Sequence, residues 1–268
     1  MGYWNDKVAV ITGGSRGLGL SIARAAAQAG AKVVLVARNP LQLANATSEL
    51  ATVSQAVSWL EADLTKDDQV APVMNEVARL HGRIDLLVNC AGRSDRGAVA
   101  DQTAEHFREL LDLNFLAAVR TTQAALPYLL QSHGHVVQVG SLASKVASRY
   151  LGAYAASKFP LAAYAQQLRL ELGPQGLHTL LVCPGPIRRN DAGSRYDAST
   201  GGLPETARQP GAGVKLRGID PDSLAQKILQ ACERRQAELI VPARAKWLFA
   251  IAQLWPALGD WIVLRMTK

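Results

Sequence analysis

Tyr154 and Lys158 stand four residues apart in a stretch, Ala153 to Leu172, rich in the helix formers Ala, Leu, Gln and Arg. Positions at that spacing lie one above the other on a helix face, so the phenol and the ammonium share one space. A free phenol titrates near ~10 and is protonated at neutral pH. A fixed cation beside it favours the phenolate and lowers that value. The pair suits general acid-base work on a hydroxyl or carbonyl oxygen. In most helices, however, the same spacing is a core edge and a solvated charge. The chemistry stands only if other segments supply the rest of a site.

A second group lies near the N-terminus, where Gly13-Gly-Ser-Arg-Gly-Leu-Gly19 follows the apolar run Lys7 to Thr12 and precedes the helical Leu20 to Ala29. Strand, glycine-rich turn and helix in that order form a phosphate cradle. Glycine lets the backbone approach a pyrophosphate, and the helix N-terminus offers free N–H groups and partial positive charge. Gly13, Ser15, Arg16, Gly17, Leu18 and Gly19 are the candidate cofactor contacts. Past these glycines an acid would hold a ribose 2′-hydroxyl, whereas Arg accommodates a 2′-phosphate. The chain has Val36-Ala37-Arg38-Asn39 there, with no acid. Arg16 adds a second guanidinium of the kind that grips phosphate. The reading is NADP(H) rather than NAD(H).

Residues so far apart need a scaffold. At 268 residues, 49% hydrophobic and 19% charged, the chain is ordinary globular material with ample core. The net charge of +7 fits an anionic cofactor, an acidic substrate or an anionic membrane surface. Basic blocks interleaved with aromatics are missing, which argues against nucleic acid. Cys90, Cys183 and Cys232 are scattered without metal-ligand spacing, and reduced, buried thiols are expected. Met1 to Asp6 carry no basic and apolar leader, so the expected setting is cytoplasmic.

Seven strands are expected: 7–12, 32–37, 56–63, 84–88, 135–139, 179–182 and 237–241. Between them fall helices over 20–29, 41–50, 66–80, 103–131 and 153–172, and one opening at Asp220-Pro221. The 103–131 helix carries Asn114, and Pro127 should bend or shorten it. Such alternation means one α/β domain over residues 1–268, a doubly wound parallel sheet with its ligand at the strands' carboxyl ends. Gly13, Asn89 and Ser141 all follow strand ends and converge there. The aperiodic stretch 188–218 reads as a substrate lid.

Thr12-Gly13-x-x-x-Gly17-x-Gly19, Asp63-Leu64, Asn89-Cys90-Ala91-Gly92, Asn114, Ser141, Tyr154-x-x-x-Lys158 and Pro184-Gly185-Pro186-Ile187 occur in this order. Together they resemble the motifs of the classical short-chain dehydrogenase/reductase family across about residues 7 to 242. The resemblance implies a Rossmann-like single domain, often a dimer or tetramer through the helices bearing Asn114 and Tyr154. It implies a catalytic tetrad of Asn114, Ser141, Tyr154 and Lys158. Asp63, Leu64, Asn89, Ala91, Gly92, Pro184, Gly185 and Ile187 join the glycine turn, Arg38, Tyr154 and Lys158 as cofactor contacts. NADPH would reduce a carbonyl by hydride. Tyr154 would donate the proton, Ser141 would hold the oxygen, Lys158 would hold the ribose, and Asn114 would keep a proton-relaying water. Two residues depart from the pattern: Cys90 replaces an Asn, and Arg189 stands where the family commonly has a Thr.

Arg93 to Arg96, Leu142 to Ser144, Tyr150 and the 188–218 loop should border the substrate. Arg188, Arg189, Arg195, Arg208, Lys215 and Arg217 could attract an anion, though a solvated lid face is the plainer reading. Residues 247–264 are nearly all apolar, hold three of the five Trp and are flanked by Arg244, Lys246, Arg265 and Lys268. Pro256, Gly259 and Asp260 break them, which argues against a transmembrane helix. They would pack over the cleft or a partner subunit, or lie in a membrane interface. A bulky apolar ketone or alcohol, steroid- or lipid-like, is the substrate this suggests. The competing function is a cofactor-binding regulator or scaffold without turnover. Nucleotide-sugar chemistry, which also uses Tyr-x-x-x-Lys, calls for a longer substrate domain.

Overall fold

The computed structural model describes residues 2–189, 202–208, 211, 213 and 217–267; the side chains of Thr206 and Arg208 are outside that description, as are Arg195 and Lys215. Seven parallel strands form one sheet in the order β3-β2-β1-β4-β5-β6-β7. The strands are β1 (Val8–Thr12), β2 (Lys32–Ala37), β3 (Val57–Glu61), β4 (Leu86–Asn89), β5 (His135–Val139), β6 (His178–Pro184) and β7 (Glu238–Val241). Helices α1 (Gly17–Gln28), α2 (Pro40–Ala51) and α8 (Pro221–Glu233) cover one face; α3 (Asp67–His81), α4 (Ala104–Leu111), α5 (Ala117–Gln131) and α6 (Ala153–Leu172) lie on the other. A short α7 (Glu205–Arg208) and a terminal pair, α9 (Ala245–Leu254) and α10 (Pro256–Met266), complete the described elements.

The sheet is dry on both sides, and β1 shows why its sequence carries no polar alternation. Ala9 and Ile11 enter the cluster with Ile22, Leu35 and Ile228, while Val8 and Val10 enter that with Met74, Val77 and Leu129. A strand covered on both faces must be apolar at every position, and each buried Val, Leu or Ile contributes about 1.5–3 kcal/mol. The order reverses between β1 and β4, and there the carboxyl ends leave a crevice.

The expected helix over 103–131 is interrupted, but not by its proline. α5 runs through Pro127 to Gln131, anchored by Ala125 and Leu129 in the core, so tertiary burial overrides the local cost. The break comes at Asp112–Leu116, a π-helical turn that contains Asn114. Such turns insert a residue without ending the helix and often accompany functional sites.

Candidate active site

At the crevice, the turn after β1 is shaped by what cannot fit. Gly13 has φ +64° and Gly17 φ +58°, in the left-handed region that favours glycine. A Cβ on Gly13 would stand 2.9 Å from the Ala91 Cα, and one on Gly19 would run into the Gly13 carbonyl oxygen. The space below these glycines is filled by the turn after β4, and the glycines themselves line a cleft. Thr12 binds the two turns together: its Oγ1 accepts the N–H groups of Cys90 (3.1 Å) and Ala91 (3.2 Å) and donates to the Val88 carbonyl (3.2 Å).

A cleft of about 1700 Å³ runs from this turn across the carboxyl ends of the strands. It is lined by Gly13, Ser15 to Gly19, Arg38, Asp63, Leu64, Ala91, Gly92, Ser141, Tyr154, Lys158, Pro184, Gly185 and Ile187. At the β2 end, Arg38 and Arg16 form no ion pair among the described residues. Burial works to raise the Asp63 carboxyl, but hydrogen bonds from Thr65 and the charge of Arg38 outweigh it, so the group titrates below its usual range. The turn, with its exposed N–H groups and nearby guanidinium cations, fits a dinucleotide diphosphate.

Lys158 is buried and donates to the Val139 carbonyl at 3.0 Å. Burial lowers its ammonium to about 8. Ser141 caps the single turn Leu142–Ser144, and its Oγ accepts the Ala143 N–H at 3.1 Å. That bond uses a lone pair and leaves the hydroxyl proton for another acceptor. Tyr154 sits in the first turn of α6. Gln102 caps that helix, its Oε1 accepting the Ala153 N–H at 2.6 Å while its Nε2 donates to Asp95 at 3.1 Å.

The two asparagines lie behind the cleft wall. Asn114 Oδ1 accepts the Arg93 N–H at 2.9 Å, and its Nδ2 donates to the Arg93 carbonyl (2.9 Å) and to Ser157 Oγ (2.8 Å). A Cβ on Gly92 would lie 2.7 Å from Asn114 Oδ1 and 3.5 Å from Lys158 Nζ, so Asn114 adjoins the lysine from behind. Asn89 points away from the cleft. Its amide bonds Thr122 (2.9 Å), Gln138 (3.2 Å) and the Ala118 carbonyl (3.3 Å), and it accepts from Thr121 (2.6 Å). Cys90 lines the cleft with its thiol pushed up by burial to about 11, a neutral group.

Of the expected substrate border, Arg93, Ser94, Arg96, Leu142, Ala143, Arg188 and Arg189 line the cleft, whereas Asp95, Ser144, Tyr150 and Arg217 do not. Ser144 is drawn inward, where its Oγ accepts the Ser141 N–H at 3.1 Å, and Tyr150 lies under the Arg149 guanidinium. The Gln102 cap carried no local signal in the sequence, whereas Arg189 at the substrate border and 247–264 over the cleft were among the expectations. Gln102 reaches α6 from 51 residues away. The Arg189 guanidinium hangs over the glycine turn, 3.7 Å from where a Cβ on Gly17 would be. Leu248, Phe249, Val263 and Met266 of α9 and α10 wall the cleft's far end.

This scaffold is a doubly wound α/β domain with its cleft at the strands' carboxyl ends. The short chain dehydrogenase family model matches residues 7–198, and the chain belongs to that family, whose members use nicotinamide cofactors. It is 33% identical over 263 residues to dehydrogenase/reductase SDR family member 7B of Danio rerio, covering 94% of this chain and 83% of the other. An uncharacterized oxidoreductase of Bacillus subtilis is 32% identical over 261 residues, with 95% and 70% covered. Among solved structures, a short-chain dehydrogenase from Streptomyces avermitilis superposes with TM-score 0.80 at 28% identity, covering 98% of each chain. An actinorhodin polyketide ketoreductase variant with NADPH gives 0.79 at 25% identity, with 90% and 97% covered.

Proposed function

We propose that this chain is an NADP(H)-dependent carbonyl reductase acting on a bulky apolar ketone, in reversible exchange with the secondary alcohol. The observation that carries the reading is that Ser141, Tyr154 and Lys158 border the same cleft as the glycine turn. A bound nicotinamide supplies the hydride. Tyr154 donates its phenolic proton to the carbonyl oxygen while the Ser141 hydroxyl donates a hydrogen bond to it. The Lys158 ammonium stabilises the phenolate left behind and holds the ribose. Asn114, braced between Arg93 and Ser157, keeps the route by which a proton returns to Lys158.

NADP(H) over NAD(H) is supported by Arg38 and Arg16 at the end of the cleft where an acid would otherwise meet a 2′-hydroxyl. An apolar substrate is supported by Leu248, Phe249, Val263 and Met266 at the opposite end. The basic residues nearby favour an anion less, because Arg93 pairs with Glu109 (3.1 Å) and Arg188 with Asp220 (2.8 Å). Assembly as a homodimer or homotetramer is supported by Leu116, Phe159 and Leu170, exposed on and beside the helices that carry Asn114 and Tyr154. Three free cysteines are consistent with a reducing cytoplasmic setting.

The test is Tyr154→Phe, assayed by NADPH oxidation against steroid, retinoid, acyl and small aromatic carbonyls. Reduction should fall by about 10²–10⁴ while NADPH binding, read by fluorescence, persists. A variant that turns over like the parent, or a parent inert to every carbonyl class, would overturn the reading and leave a cofactor-binding regulator.

A further inference from the structure

The α9–α10 hairpin is apolar on both of its faces. Its two helices touch closely, since a Cβ on Gly259 would lie 2.6 Å from the Ala252 Cα. On the inner side, Leu248, Phe249, Val263 and Met266 meet the cleft, and Phe249 is packed with Leu161, Leu181 and Ile240. On the outer side, Trp247 is 76% exposed, Leu254 68%, Trp255 60%, Trp261 50%, and Leu258 and Leu264 45% each. Soluble monomers rarely leave so many large apolar groups together in water.

The charges choose among the covers. Lys246 and Arg265 are exposed on the hairpin, Arg244 just before it lines the cleft, and Asp260 is the sole acid in residues 243–268. The Arg265 guanidinium lies 4.2 Å from the Trp261 ring. A second copy seated on this face would bring like charges together. An anionic bilayer surface takes tryptophan at its headgroup layer and cations at its phosphates. No helix among the described residues is long and apolar enough to cross a membrane, so the hairpin would lie flat.

We propose that α9–α10 docks this chain on an anionic lipid bilayer, its outer face in the headgroup layer and its inner face roofing the cleft, so that an apolar substrate enters from the lipid. The entry clause rests on the reductase reading; the docking clause does not.

The experiment sediments the full chain with vesicles of phosphatidylcholine and phosphatidylserine, or of phosphatidylcholine alone. The parent should pellet with the anionic vesicles, and added salt should weaken it. Trp247→Ser/Trp261→Ser should bind them about tenfold more weakly, with unchanged thermal transition and unchanged reduction of a small water-soluble ketone. For a long-chain ketone presented in the vesicles, the parent should show a KM about tenfold below that of the double variant. Failure of the parent to pellet, or equal binding by the double variant, overturns docking. So does a parent dimer that the substitutions dissociate without any vesicle binding, which would assign the face to a second copy. Equal KM values overturn the entry clause. Vesicle binding as expected by a protein inert to all ketones supports docking and overturns the reductase reading instead.

Discussion

Lys158 is the side chain whose charge should set the working pH of the proposed reaction. Burial holds its ammonium down at about 8, so the free protein loses that cation as pH rises through 8. The proposed role needs the cation, so kcat/KM for carbonyl reduction should fall above that pH. Lys158→Arg keeps a permanent charge and should lack this limb at whatever rate remains. A parent profile flat to pH ~10 would contradict the assignment. Arg189 is the second residue to test, because its guanidinium overhangs the glycine turn where a diphosphate would lie. Arg189→Ala should weaken NADPH binding about tenfold, or about 1.4 kcal/mol, by calorimetric titration. A change in kcat alone would place its role elsewhere.

At the scale of elements, the site depends on two turns held against each other. Thr12 Oγ1 is the shared acceptor for two N–H groups of the turn after β4. Thr12→Val keeps the shape but orphans both donors, at an expected cost of about 1–3 kcal/mol in stability read by urea unfolding and with weakened cofactor binding. Gly19→Ala acts on the same joint by pushing α1 off the Gly13 carbonyl. Because that neighbour is backbone and cannot rotate aside, NADPH binding should be lost, with destabilisation of about 1–3 kcal/mol. Normal NADPH binding by the Gly19→Ala variant would show that the turn is looser than its geometry implies.

The whole molecule adds a feature at the opposite, amino-terminal edge of the sheet. His135 and His178, the first residues of β5 and β6, lie with Nδ1 atoms 2.8 Å apart, and Cys232 of α8 closes within 4.8 Å. The Gln236 carbonyl can only accept, so His178 Nε2–H donates to it at 2.9 Å. His178 Nδ1 then accepts from His135 Nδ1–H, and His135 Nε2 accepts from the Tyr3 hydroxyl at 2.7 Å. That chain of bonds is the one open to two neutral rings. Burial lowers His135 to about 3 and lowers His178 as well, with Arg235 also disfavouring a cation at both. Below the ordinary histidine range of 6.5 the unfolded chain takes up protons that the folded chain refuses until about 3. Stability should therefore fall as pH drops through that window. His135→Gln/His178→Gln should flatten this part of the urea-midpoint profile; an unchanged slope would assign acid sensitivity elsewhere.

The alternation of strands and helices, the glycine turn and the Tyr154–Lys158 pair could be read from the sequence because each is a local pattern. An all-apolar run needs cover on both faces, and a Tyr and Lys one turn apart need only a helix to meet. The Asn89 side chain, the turn at Asn114, the Gln102 cap and the choice among the covers named for 247–264 could not be read in that way. Each is settled by which distant atoms offer a hydrogen bond or an apolar surface. Asn89 turned inward because Thr121, Thr122 and Gln138 satisfy its amide there. The irregular turn falls at Asn114 rather than at Pro127: burial holds the proline turn, while Arg93 and Ser157 hold the asparagine. Sequence alone pointed to the class of chemistry, since motifs from Thr12 to Ile187 occur together in the order of one family. Tertiary structure decided which groups face the cleft, since burial and pairing depend on neighbours from the whole chain.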